Sequence, residues 1–451
     1  MINLNHCGMW SLAGVRSPLN RCAVIGLCLL SVGALSIGQL RADEWPQWRG
    51  AQRDGVWRET GIVDSLPKGT LPRRWSTPIG SGYSGPTVAD GTVYVMDRLA
   101  EPKQVERIHA LAWETGEIRW TFTYDCEYHD VGYVAGPRSS VTVDGKRLYA
   151  LGTMGHLHCL DTAGQVIWKK DLLAEYKFEM PIWGIAASPL VYGDLVIVQI
   201  GAPDNACLVA FDKVSGKEVW RALPDRASYS SPIIVRQANQ DVLVCWTGDS
   251  VAGLDPRTGK VHWQQEFKPT RMVIGIATPA WNENRIFVSS FYDGSLLLQL
   301  DPNSLTARPV WRRLGPDEKN TESLHSIIST PVLRGANVYG VDSHGELRCL
   351  DAATGDRIWE DTTAVPTARW ATIHFVTQGD RDWLFNDRGD LIIAQLRPDG
   401  YHELSRAHLI DPTTDQLNRR DGVCWSHPAY AYRHIFARND REIVCASLAS
   451  E

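Results

Sequence analysis

Trp75, Trp120, Trp168, Trp220, Trp263, Trp311 and Trp359 stand 45, 48, 52, 43, 48 and 48 residues apart. One bulky indole returning at so narrow an interval marks a repeated supersecondary unit, since each copy must set the same wedge into the same gap. Eighteen Trp among 451 residues agree with this, for Trp is large and ordinarily sparse. A second marker keeps the same period: a small or hydroxyl residue before Pro, at Gly85-Pro86, Gly136-Pro137, Ser188-Pro189, Ser231-Pro232, Thr278-Pro279 and Thr330-Pro331, with His427-Pro428 closing the series. Trp370-Ala371-Thr372-Ile373 takes the corresponding place in a seventh unit without the Pro. Eight unit starts result.

Within a unit the pattern is a run of short strands. In the sixth, Val332-Leu333 leads to Gly335, then Val338 to Val341, then Gly345 to Asp351, a turn ending at Gly355, and Ile358-Trp359. Short alternating runs bounded by Gly and Asp are strands joined by hairpins. Asp212/Gly216, Asp255/Gly259 and Asp351/Gly355 repeat one turn, with Asp161/Gly164 a residue shorter. There the Asp carboxylate caps the turn and the Gly takes positive φ, so these acids serve folding rather than catalysis. Four short strands eight times over predict an all-β fold, an eight-bladed β-propeller of four-stranded antiparallel blades. The last unit ends at Glu451 without its Trp-bearing strand, and Trp75 precedes the first unit. Arg73-Arg74-Trp75-Ser76 is therefore expected to complete the last blade and remove its exposed edge.

Residues 1–42 read as a secretory leader: Arg16 and Arg21 precede the apolar stretch Cys22 to Leu40, and Leu40-Arg41-Ala42 offers a small residue before Asp43. An uncleaved anchor is the alternative, since that stretch nearly reaches the roughly 20 residues a bilayer needs. The expected product is exported, periplasmic or secreted, with residues 43–451 as a single propeller domain, a monomer with no later membrane segment. The leader holds three Arg and no acid, so cleavage moves the net charge from −6 to −9. An acidic chain is a poor partner for nucleic acid or an anionic membrane surface. Seven cysteines remain after the leader, an odd number that makes a poor disulfide framework. Cys159, Cys207, Cys245, Cys349 and Cys445 lie in strand-like runs and read as small buried hydrophobes.

Two apparent motifs lack their context. Gly80-Ser81-Gly82-Tyr83-Ser84-Gly85 matches a dinucleotide string, but Pro86-Thr87-Val88 begins a strand where a helix is required. His156-Leu157-His158-Cys159 imitates a zinc cluster, yet Glu346-Leu347-Arg348-Cys349 fills the same places in the sixth unit, so those positions are expected to face polar surroundings that tolerate any charge. No metal ligand and no catalytic residue is assigned. Asp125, Glu127 and Asp130 beside His129 are the strongest acid/base candidates, against a solvated loop as the plainer reading.

The run Ala210-Phe211-Asp212-Lys213-Val214-Ser215-Gly216-Lys217-Glu218-Val219-Trp220 resembles the tryptophan-docking motif of the pyrroloquinoline-quinone-like propeller superfamily, which holds quinoprotein alcohol dehydrogenases and the non-enzymatic, exported BamB-like proteins. Partial copies end at Trp168, Trp263 and Trp359; Ala112-Trp113 departs in the first unit, and Gly400-Tyr401-His402-Glu403-Leu404 departs further in the seventh. The opening Glu44-Trp45-Pro46-Gln47-Trp48-Arg49-Gly50 also resembles the start of BamB-like proteins. The resemblance implies that Trp120, Trp168, Trp220, Trp263, Trp311 and Trp359 pack between neighbouring blades.

The residues three before each unit start, Tyr83, Val134, Ala186, Tyr229, Ile276, Ile328, Trp370 and Trp425, should ring the mouth of the central channel, because they lead into the innermost strands. Trp183 and His325 stand six before, with Tyr133, Arg138, Arg271, Arg369, Arg420 and His427 close by. Aromatic faces with Arg and His suit a flat anionic ligand, which is what pyrroloquinoline quinone is. A quinone-dependent dehydrogenase also needs a calcium ion on carboxylate and amide oxygens and a base for the substrate proton. The segments 83–86, 229–232, 276–279 and 328–331 contain no Asp or Glu. The chain is thus expected to be a non-catalytic scaffold that binds another protein or a small ligand at the channel mouth. The alternatives are an alcohol or sugar dehydrogenase carrying pyrroloquinoline quinone with calcium, and a carbohydrate-binding module drawing on the same aromatics.

Overall fold

The computed structural model describes residues 43–450; the expected leader, residues 1–42, lies outside the described residues. Thirty-two strands pair into eight four-stranded antiparallel sheets, with one short helix at Leu172–Tyr176. Seven sheets run in sequence order from innermost to outermost strand, as Thr87–Ala89, Thr92–Leu99, Val105–Ala112 and Ile118–Asp125 do in blade 1. The eighth joins Ala429–Ala431, His434–Arg438 and Glu442–Ser447 to Arg73–Pro78, with Trp75 opposite Cys445 and Thr77 opposite Ile443. The chain is an eight-bladed β-propeller closed by its N-terminal strand. Blade 7 begins at Ile373–Gln378, the unit without a Pro.

Every outermost strand carries a β-bulge one residue before the position of the repeating Trp. In blade 3, Trp220 pairs with Ala210 and Glu218 with Phe211, leaving Val219 unpaired and 53% exposed. Blade 7 keeps the bulge although its Trp is gone: Ser405 pairs with Ile393 and Glu403 with Ala394, so Leu404 is the extra residue. The bulge bends the strand and re-aims the next side chain toward the neighbouring blade. Thus the Trp75 indole N–H donates to the Trp113 carbonyl at 2.8 Å, Trp120 to Thr162 at 3.0 Å, Trp311 to Ala352 at 2.9 Å and Trp359 to Arg397 at 2.8 Å. Each bond crosses to the next blade. Toward the axis, the hydroxyls before the Pro residues do similar work, Ser188 N donating to Ser231 Oγ at 2.9 Å and Thr278 N to Thr330 Oγ1 at 3.1 Å.

The segment before the closing strand crosses the axis. Trp45 exchanges backbone hydrogen bonds with Val88 of blade 1 at 2.9 and 2.8 Å, and Trp57 N donates to Thr377 O of blade 7 at 2.8 Å. Between them, Trp48 Nε1 donates to Thr278 Oγ1 of blade 5 at 2.7 Å. Arg53, 4% exposed, gives Nη1 to the carbonyls of Ser188 and Pro232 at 3.3 and 3.1 Å and Nη2 to that of Pro189. A guanidinium so deeply buried is tolerable only because carbonyl oxygens replace its water. The channel is therefore stopped at one end by the chain itself.

All seven described cysteines are free and buried. His158 corrects the reading of its strand as polar-facing: it is 3% exposed, packs against the Tyr124 and Phe122 rings at 4.3 and 5.2 Å, and burial drives its imidazole down to about 3. Alternation along a strand sorts side chains between two faces, but in a propeller both faces of a blade are covered by neighbours. His156 and His158 belong to no metal cluster among the described residues.

Candidate functional site

A cavity of about 380 Å³ lies on the axis above Trp48. Seven of the eight residues three before the unit starts line it: Tyr83, Ala186, Tyr229, Ile276, Ile328, Trp370 and Trp425. The eighth, Val134, is 52% exposed and is replaced in the wall by its neighbour Tyr133. All blades present their innermost strands in one direction, so equivalent positions converge on one rim. The Trp183 ring lies 5.0 Å from Tyr229 and 5.8 Å from Tyr133, and Tyr133 lies 6.3 Å from Trp370 and 6.2 Å from Trp425.

Two of these rings stand on strained backbone. Tyr133 and Trp370 hold φ of +55° and +68°, a region that costs bulky residues on the order of 1–3 kcal/mol and that clusters at functional sites. Surrounding bonds enforce it: Arg138 Nη2 donates to the carbonyls of Tyr133 and Gly132 at 2.6 and 2.8 Å, and Trp370 N donates to Ser343 O at 2.9 Å. Arg138 also lies over the Tyr83 ring at 5.0 Å.

The floor is Trp48 with two histidines. The Trp48 indole meets the His427 ring edge-on at 4.2 Å, His427 Nε2 lies 2.8 Å from Ser140 Oγ, and His374 Nε2 donates to the Trp425 carbonyl at 2.9 Å. Burial lowers His374 to about 4 and His427 to about 3, helped in the latter by His374 and in both by Arg49. Both imidazoles are neutral at pH 7, and burial pushes the Tyr229 phenol up to about 12. A folded-state pKa depressed below the ordinary 6.5 gives stability that is complete above pH 6.5 and is lost as the pH falls toward 4 and then 3. Each histidine then contributes a slope of up to about 1.4 kcal/mol per pH unit. Guanidinium midpoints should therefore fall from pH 7 to pH 4, and His427→Gln should flatten that fall; an unchanged slope would contradict neutral burial.

The other sites expected from the sequence are distributed differently. Trp183, Arg138 and His427 line the cavity. His325 does not: it is fully buried, its Nδ1 donates to Phe291 O at 3.0 Å and its Nε2 accepts from Gly315 N at 3.3 Å. Arg369 pairs with Glu318 at 2.8 Å and Arg420 with Asp387 at 2.9 Å, so acids from distant segments neutralise both. Arg271 is exposed and stacks on Tyr292, a lining residue, at 4.9 Å. Asp125, at the end of the strand Ile118–Asp125, and the Glu127–His129 pair in the loop after it are exposed and lie outside the lining, Asp125 held by Lys103 at 2.5 Å. Sequence reasoning missed Trp48, whose segment carries no repeat period, and Tyr292, Met272 and Ile274, which the strand pattern does not distinguish from core.

The wall contains no Asp, Glu, Asn or Gln, and among the described residues no group of three or more His, Cys, Asp or Glu could hold a metal. Calcium takes six to eight oxygens. Nor does the wall offer a flat polyanion more than Arg138, whose Nη groups are spent on carbonyls and on Thr153. These residues do not fit a calcium–quinone pair.

A family model described as outer membrane protein assembly factor BamB matches residues 104–361. BamB of Escherichia coli K12 is 22% identical over 361 residues, 66% of this chain and 84% of its own length. BamB of Burkholderia pseudomallei is 23% identical over 220 residues, 48% of this chain, which spans about half of that relative's length, 53%. Among solved structures, BamB of Moraxella catarrhalis superposes with a TM-score of 0.57 at 16% identity, over 85% of this chain and 99% of its own. Quinohemoprotein alcohol dehydrogenase ADHIIG of Pseudomonas putida HK5 gives 0.56 at 13% identity, over 90% and 80%. Those structural likenesses establish the fold alone, since an assembly factor and a dehydrogenase score alike. The family model, spanning more than half of the sequence, goes further: the chain belongs to the family described as outer membrane protein assembly factor BamB.

Proposed function

We propose that this protein is an exported, non-catalytic binding propeller, a rigid ring that offers its loops and its axial cavity to a partner or ligand in the envelope. The observation that carries this reading is the cavity wall, in which converging aromatic residues make a recognition surface without a carboxylate or a side-chain amide. A closed ring is well suited to such work, because rigid sheets hold many loops at fixed positions and little ordering entropy is lost on binding. Family membership supports a role beside outer-membrane protein assembly, with another protein as the partner. The dehydrogenase alternative has less support, because the carboxylate and amide oxygens that calcium needs are missing from the lining.

Purified protein mixed with pyrroloquinoline quinone and calcium should show no quinone absorbance co-eluting on a sizing column and no dye reduction with alcohols or sugars. Stoichiometric uptake with turnover would replace the binding role by an enzymatic one. Fractionation should recover the chain with exported or envelope proteins, and its recovery from the cytosol would remove the proposed location.

A further inference from the structure

One arc of the cavity mouth alternates guanidinium and ring. Arg271 lies over Tyr292 at 4.9 Å, Arg369 lies over Trp370 at 4.5 Å with its Nη2 3.3 Å from the Tyr292 hydroxyl, and Arg419 lies over Trp370 at 5.1 Å. Arg369 is balanced by Glu318. Arg271 and Arg419 are exposed, and among the described residues neither guanidinium has a carboxylate within ion-pair distance or a hydrogen-bond partner. On a chain with a net charge of −6, two unpaired cations seated on residues that line one cavity form a local exception.

We propose that the cavity receives one flat, apolar monoanion, an aryl carboxylate, with its rings among Trp183, Tyr229 and Trp370 and its carboxylate at the rim beside Arg271 and Arg419. The inference rests on reading the cavity as a recognition site and names its ligand class. A volume of about 380 Å³ suits a fused two-ring body, and the aromatic wall provides faces for offset and edge-on stacking. Trp48 stops the far end, so the molecule enters and leaves by the rim and carries its charge there. A cationic ligand is opposed, because Tyr292 and Trp370 already hold guanidiniums. A polyanion is opposed as well, since two free cations cannot balance it and the floor is neutral. Guanidinium and carboxylate make charge-assisted, paired hydrogen bonds, which gives the rim its discrimination.

The test is isothermal titration of the full-length protein with three compounds of nearly one shape: 2-naphthoate, 2-naphthamide and 2-naphthylmethylammonium. Naphthoate should bind one to one, at least about tenfold tighter than the amide, equivalent to ~1.4 kcal/mol, with the ammonium weakest. Arg271→Gln with Arg419→Gln, at two exposed positions, should abolish the preference for naphthoate over the amide and leave thermal melting unchanged. Trp183→Ala should weaken naphthoate and amide together. Equal affinity for acid and amide, preference for the ammonium, a preference that survives the double substitution, or no heat with any of the three at millimolar concentration would each overturn the proposal. Such a failure is separable from that of the binding-propeller reading, which stands or falls on quinone turnover and on cell fractionation.

Discussion

A chain that begins at Gly80 is expected not to fold to a stable monomer. It lacks the strand Arg73–Pro78, so Glu442–Ser447 becomes a bare edge whose middle residues Ile443, Val444, Cys445 and Ala446 are fully buried in the closed ring. An apolar edge with unpaired N–H and C=O groups is a template for pairing with other chains. It also lacks Trp45, Trp57, Ile62, Leu66, Leu71 and Trp75, which share one core with Trp383, Tyr430 and Phe436 of blades 7 and 8. At roughly 1.5–3 kcal/mol for each large apolar side chain withdrawn from water, that loss rivals the whole stability of an ordinary domain, about 5–15 kcal/mol. Sizing chromatography should find the shortened chain in aggregates, with a weakened cooperative transition by circular dichroism, and residues 43–79 added as a separate peptide should partly restore both. A soluble monomer with full stability would show that the ring does not need its N-terminal closure.

That closure was legible because a tryptophan was left over at one end of the repeat and missing at the other. The same arithmetic placed eight blade starts, and seven of the eight positions found by counting three residues back from each line the axial cavity. Periodicity is carried by local structure, so it survives in a single sequence. What it could not reach was pairing between segments remote from one another. Arg369 meets Glu318 and Arg420 meets Asp387 only because the ring brings loops of different blades together, and the distances 51 and 33 residues along the chain leave no local trace. Trp48 was hidden for the opposite reason: it lies outside the repeat, in a segment whose path is fixed by Arg53 and Thr278 rather than by its own pattern. Blade 7 shows a third limit. Its sequence lost both the Pro and the Trp, yet the bulge at Leu404 persists, because the neighbours on either side still impose the strand's bend.

Trp220→Ala is the second large effect, and it isolates what the repeated indole contributes. Trp220 is 7% exposed and joins Leu195, Ile197 and Leu208 of blade 3 to Leu243, Cys245 and Leu254 of blade 4. Among the described residues its Nε1 has no hydrogen-bond partner, so truncation removes packing and leaves no orphaned acceptor behind. A fully packed Trp replaced by Ala costs about 3–5 kcal/mol, part transfer and part cavity. The opposing surface is the turn of the next blade: Gly259 holds φ of +72°, and a Cβ there would lie 2.6 Å from Trp220 Cε3. Gly259→Ala should therefore destabilise by both backbone strain and collision, and combining it with Trp220→Ala should cost less than the two losses added, because the smaller side chain makes room for the methyl group. Trp359→Ala provides the contrast: it is less buried, and the Arg397 carbonyl that loses its indole donor is exposed and takes water instead, so its cost should be smaller. Guanidinium titrations of the four variants read these differences directly. A midpoint for Trp220→Ala equal to that of the unaltered protein would mean that the indoles fill space at the blade edges without holding neighbouring blades together.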